Sequence, residues 1–225
     1  MALFSRKTKP AASEPEDVQE VVETVPAPEG PFDITSVDSV DDMHDFGVLY
    51  LPKESGVRVQ FTINKITRGA MGALVQFAGS ALTFNVYAAP KTAALWPDVR
   101  DELAESITSG GGTATFREGP FGPEVEAVIP KKDVNELRHV RYVGVDGPRW
   151  FLRVTIEGEA VTNQAARDAA YAYMKQAVVD RGSEPHPVRD LLELTMPEAA
   201  KTRVEEKLGK PAERKPRGPE LPELV

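Results

Sequence analysis

The sequence predicts an α+β fold: an antiparallel sheet of about seven to eight strands with two main helices packed on it. Three observations carry that expectation. Several short runs alternate apolar and polar residues with the period of two that a half-buried strand requires. Two longer runs, 92–109 and 162–181, repeat apolar residues at helical spacing. Turn signals separate the strand-like runs in pairs, as in hairpins.

The clearest run lies between Val140 and Gly182. Trp150, Leu152, Val154 and Ile156 alternate with Arg149, Phe151, Arg153, Thr155 and Glu157. Asp146-Gly147 before them is a two-residue hairpin signal, because such turns need positive φ. Thr162 or Asn163 can cap a helix that aligns Ala166, Ala170, Tyr173, Ala177 and Val178, with Gly182 at its C-terminal end.

From the N-terminus, residues 1–31 hold three basic and six acidic residues and no apolar period. Residues 33–45 add Asp33, Asp38, Asp41, Asp42 and Asp45. The segment 1–44 is therefore expected to be a disordered, acidic lead-in. Its aspartates lack the central Gly and terminal Glu of a calcium loop. Strands are expected at 46–51, 57–63, 71–77 and 82–86, as a meander. Leu95, Val99, Leu103 and Ile107 then repeat at i+4. Gly110-Gly111-Gly112 follow that helix; they lead into a strand, so they are a cap and not a phosphate loop. Further strands are expected at 113–116, 125–129, 140–146 and 149–157. Glu124 and Glu126 alternate with Val125 and Ala127 and are assigned to solvent.

After Gly182, Leu191, Leu192, Leu194 and Met196 are too apolar to stand free, so 188–196 is expected to lie back across the domain. One folded domain over 45–197 results. A weak helix and a disordered Pro-rich tail are expected over 198–225. Residues 75–90 and 143–158 both read as a hairpin followed by a helix, with Gly79 against Gly147 and Val86 against Val154. Two duplicated halves are one way to build such a chain.

Composition narrows the chemistry. The 225 residues carry a net charge of −8 and no cysteine. Disulfides, thiolate metal sites and cysteine nucleophiles are excluded. The negative balance disfavours nonspecific binding to polyanions. No run approaches a membrane span, and a cytoplasmic location is expected. His44, His139 and His186 have no metal-ligand spacing, no Gly-x-Ser-x-Gly elbow is present, and no cofactor is expected. One charge anomaly stands out: residues 131–153 hold six basic residues against three acidic ones. Arg149, Phe151 and Arg153 share one strand face, with Arg141 expected across the hairpin. These four form the candidate ligand surface, because an aromatic ring flanked by guanidinium groups can hold an anion or stack a base. The competing reading is a solvated face whose arginines pair with the lead-in or with carboxylates of the sheet.

The segments DFGVLYLPKESGVRVQF at 45–61, GVDGPRWFLR at 144–153 and VVDRGSEPHPVRDLLELTMP at 178–197 are similar to a family of uncharacterised actinobacterial proteins, domain of unknown function number 3710. The resemblance implies a cytoplasmic actinobacterial protein and brings no activity, ligand or catalytic residue. The leading functional reading is a non-catalytic interaction or adaptor protein, whose partner is another protein or a second copy. The alternative is a nucleic-acid or phosphate-ligand binding protein using the basic hairpin 138–153. An enzyme of unrecognised type comes third.

Overall fold

The computed structural model describes residues 30–131 and 136–208. In chain order the strands are β1 (Phe32–Asp33), β2 (Met43–Asp45), β3 (Leu49–Pro52), β4 (Arg58–Ile63), β5 (Ala70–Phe77), β6 (Ser80–Ala88), β7 (Thr113–Gly119), β8 (Gly122–Pro130), β9 (Leu137–Gly147), β10 (Trp150–Gly158) and β11 (Val178–Val179). The helices are α1 (Trp96–Ser109), α2 (Glu159–Thr162), α3 (Gln164–Lys175) and α4 (Glu198–Leu208). Seven strands form one antiparallel sheet in the order β4-β5-β6-β10-β9-β8-β7. A second, four-stranded sheet runs β1-β11-β3-β2. The fold is α+β, as the alternation predicts.

The period-two reading of β10 is met: Trp150, Leu152, Val154 and Ile156 are all buried. With Val75, Phe84 and Val143 they make the main core, against Tyr173 and Met174 of α3 and Leu49 and Leu51 of β3. Helix α1 packs on the opposite face, where Leu95, Trp96 and Ile107 meet Val125, Ala127 and Phe151. A twofold axis relating antiparallel neighbours β6 and β10 would place both helices on one face. The two hairpin-helix units are therefore not packed as symmetric halves.

Several local expectations change. The hairpin between β9 and β10 turns at Pro148-Arg149, since Gly147 already pairs with Trp150. Proline presets φ near −65° at the first corner, and Arg149 takes φ +65° at the second. Gly147 is instead a seat: a Cβ there would lie 2.1 Å from the Trp150 ring. Gly144 does the same for Trp96 on the other face, at 2.2 Å. Asp146, read as a turn residue, accepts the backbone N–H groups of Leu95 and Trp96 at 2.7 and 3.0 Å and so anchors the start of α1. Helix α3 stops at Lys175, short of 181, and Ala177 and Val178 do not extend its stripe. Val178 and Val179, β-branched and buried, form β11 between β1 and β3.

The boundary expected at 45 falls inside the second sheet. Residues 30–44 are not a free lead-in: β1 pairs in parallel with β11, and β2 pairs with β3. Asp33 accepts the Trp150 indole N–H at 2.8 Å, a pairing over 117 positions that no local pattern reveals. The disorder expected for 1–29 and 209–225 concerns residues outside those described. The helix expected after Pro197 is α4.

The segment after Gly182 does lie back on the domain. Leu192, Leu194 and Met196 are buried, whereas Val188 is exposed. Strand β5 leaves β6 beyond Ala73. The returning segment takes its place, with Leu192 N–H bonded to Val86 O at 2.9 Å and Leu194 N–H to Ala70 O at 2.8 Å.

Candidate binding surface

Strand alternation sends the four candidate residues to two different faces. Arg141 pairs in register with Ile156, so it shares the α3 face; Arg153 pairs with Gly144 on the α1 face. Arg141 therefore does not join Phe151 and Arg153. Phe151 is not a free stacking platform either: it is 2% exposed, with its ring 6.0 Å from Trp96 and 5.8 Å from Tyr87. Arg149 stands apart in the turn.

On the α3 face, Arg141 lies between two carboxylates. Its guanidinium donates to Glu124 at 3.1 Å and to Glu126 at 2.6 Å. The Tyr171 hydroxyl donates to the same Glu124 oxygen at 2.6 Å. Glu124 is wholly buried, contrary to its assignment to solvent. The alternation of 124–127 holds; what covers Glu124 is α3, placed there by the fold. Its second oxygen has no hydrogen-bond partner among the described residues and packs under Gly119, where a Cβ would be 1.9 Å away. Burial pushes the Glu124 carboxyl above its ordinary range, opposed by the Tyr171 and Arg141 hydrogen bonds. Burial and the Glu124 hydrogen bond push the Tyr171 phenol up as well. A polar cleft of about 710 Å³ lies beside this cluster, between α3 and the β7-β8 hairpin. The cluster fastens that hairpin to the helix.

The α1 face is different. Helix α1 packs mainly over β7, β8 and β9, with Trp96 reaching Phe151 of β10. Beside it the described residues leave a groove of about 620 Å³ on this face. Leu103 of α1 and Leu191 of the returning segment border it, and Leu74, Tyr87, Tyr142 and Arg153 are among the residues lining it. The cations around it are unequally matched. Arg138 makes a bidentate pair with Glu157 at 2.6 and 2.8 Å. Arg189 pairs with Glu102 at 2.8 Å. Arg153 makes no hydrogen bond or ion pair among the described residues; its guanidinium carbon sits 5.3 Å from the centre of the Tyr87 ring, and its Nε is buried without a partner. Burial pushes the Tyr87 and Tyr142 phenols up, with the Arg153 charge pulling the other way.

Of the four candidate residues, Arg153 alone lines this groove. The signal missed in the sequence was that Tyr87 and Tyr142 come to the same groove from β6 and β9. Among the described residues no cluster of His, Asp and Glu could hold a metal ion, and no helix is long and apolar enough to cross a membrane.

The class this fold and surface define is an α+β domain with one packed and one partly open sheet face. The family described as Protein of unknown function (DUF3710) matches residues 30–203, and the chain belongs to that family. The match begins two residues before β1. No curated protein matches the chain. A solution structure of cyanobacterial PsbP (CyanoP) from Synechocystis sp. PCC 6803 is similar at 7% identity, over 61% of this chain and 91% of that one, with a TM-score of 0.39. That similarity is too low to inform fold or function.

Proposed function

We propose that the protein works by binding and not by catalysis, as a cytoplasmic interaction or adaptor protein whose recognition surface is the open face of the large sheet. The observation that carries this reading is the groove itself. Natural sheets pack their apolar faces, yet Leu74, Leu103 and Leu191 border a space that none of the described residues fills. The side chains presented there are rings, hydroxyls and one unmatched guanidinium, which is recognition chemistry. The test is co-purification from the native cell with wild type and Leu74→Asp. Leu74 is only half-buried, so the charge alters the groove and leaves the core intact. Specific partners retained by the wild type should be lost with the variant; equal retention by both would remove the open face as the recognition surface.

The alternative, a nucleic-acid or phosphate-ligand protein built on hairpin 138–153, gains Tyr87 and Tyr142 as rings beside Arg153 but loses two of its cations. Arg138 and Arg141 are already matched by carboxylates. A polyanion would meet two arginines without an ion pair among the described residues, Arg149 and Arg153, on a chain of −8.

A further inference from the structure

We propose that the groove on the open sheet face is a site for a small molecule that joins one anionic group, a carboxylate or a phosphate, to a flat apolar body. The inference rests on the preceding reading for its place and goes beyond it in naming the occupant. Charge is the first argument. Three arginines lie along the groove and its rim, and two are neutralised by Glu157 and Glu102. Arg153 has no counter-ion among the described residues and is half-buried, its Nε already out of water. A buried Nε–H without an acceptor is costly, and an acceptor brought by a ligand would remove that cost.

Shape is the second argument. About 620 Å³ falls within the range of small-molecule sites, roughly 300–1,000 Å³. The neighbouring hollow that Tyr87 and Arg153 share with Phe151, Leu95 and Val99 adds about 160 Å³. Lining is the third. Tyr87 and Tyr142 offer ring faces and edges, while Leu74, Leu103 and Leu191 supply apolar walls. Thr83, Asn85 and Thr155 give the floor a few polar groups. One fixed charge with an aromatic surround suits a single anionic group on a ring system better than a chain of phosphates.

The experiment is heteronuclear NMR titration of the full chain with naphthoate and with phenyl phosphate. Naphthylmethanol serves as the neutral counterpart and inorganic phosphate as the bare ion. A single-stranded oligonucleotide is the polymer arm. The expected result is saturable shifts at Tyr87, Tyr142 and Leu74 with the aromatic anions. Affinity for naphthylmethanol and for inorganic phosphate should be at least about tenfold weaker, since a hydrogen bond to a charged group contributes about 1.5–3 kcal/mol. Arg153→Met should weaken naphthoate about tenfold and leave naphthylmethanol unchanged; Arg153→Lys should recover part of the loss. Equal binding of naphthoate and naphthylmethanol would overturn the proposal. So would naphthoate binding that Arg153→Met leaves intact, shifts confined to other surfaces, no saturation by about 10 mM, or binding of the oligonucleotide alone. None of those results touches the Leu74→Asp comparison, so the two readings fail separately.

Discussion

Arg141 and Arg153 stand on neighbouring strands of one basic hairpin and meet opposite fates. Arg141 on β9 is 6% exposed and held by two carboxylates. Arg153 on β10 is half-buried and makes no ion pair among the described residues. Read along the chain, they belong to one basic stretch. Folded, the β9-β10 register sets Arg141 opposite Ile156 and Arg153 opposite Gly144, on different faces, and what lies across each face decides the electrostatics. Arg141 meets Glu126 across β8 and Glu124 beyond it because the β8-β9 register pairs Glu126 with Arg141. Arg153 meets Asn85 on β6, which is neutral. A local charge count is thus a poor guide to a local field.

The comparison can be broken most easily at Arg141. Replacing it with Met leaves Glu124 buried without its cation. Breaking a buried pair by removing one partner costs about 3–5 kcal/mol. Urea denaturation of Arg141→Met should show a loss of that order. A loss under about 1 kcal/mol would mean that the cluster contributes little to holding β8 and α3 together.

The next largest effect separates the two faces of β10 itself. Leu152 is wholly buried in the main core. Leu152→Ala should cost about 2–5 kcal/mol in the same measurement. If it proved milder than a change at Arg153, the face assignment of β10 would be wrong.

Much of this was legible in the sequence, and the limit has a physical form. Periodicity is a local signal, so it found the faces of β10, the stripe of α1 and the apolar return of 188–196. It even separated Glu124 and Glu126 from Val125 and Ala127. It could not say which face would be covered, because coverage depends on elements far away in the chain. Tyr171 lies 47 positions from Glu124, and Trp96 covers Phe151 from a helix 50 residues upstream of its Asp146 anchor. The same blindness hid β1 and β11, two residues each, whose strand character comes from their partners. Pro148 preset the true turn, but Asp146-Gly147 carried the stronger local signal.

A smaller effect, with a definite sign, follows from Glu124. Its folded-state carboxyl titrates above its ordinary value of 4.5 because burial disfavours the charge. The folded protein therefore holds that proton more tightly than the unfolded chain does. The resulting stabilisation is fully present below the ordinary value and is lost as pH rises through the raised one. Glu124→Gln carries no titrating group there. The stability of wild type relative to Glu124→Gln should fall as pH rises above about 4.5 and then level off. A relative stability that rose over that window would show the carboxyl to be held in its charged form.

The smallest expected effect sharpens the comparison from the other side. Arg153→Met removes a charge that has no hydrogen bond or ion pair among the described residues, and it keeps an unbranched apolar stem over Tyr87. What is lost is the cation–π contact, about 0.5–1 kcal/mol at a partly exposed site. What is gained is relief of a guanidinium whose Nε is buried without an acceptor, a term of the opposite sign. The two should nearly cancel, leaving stability within about 0.5 kcal/mol of wild type, the range of surface changes away from structural features. Parallel urea titrations of Arg141→Met and Arg153→Met would then differ by several kcal/mol for the same substitution in the same hairpin. A large loss at Arg153 would mean that its charge serves the fold, and it would remove the reason to look for a ligand there.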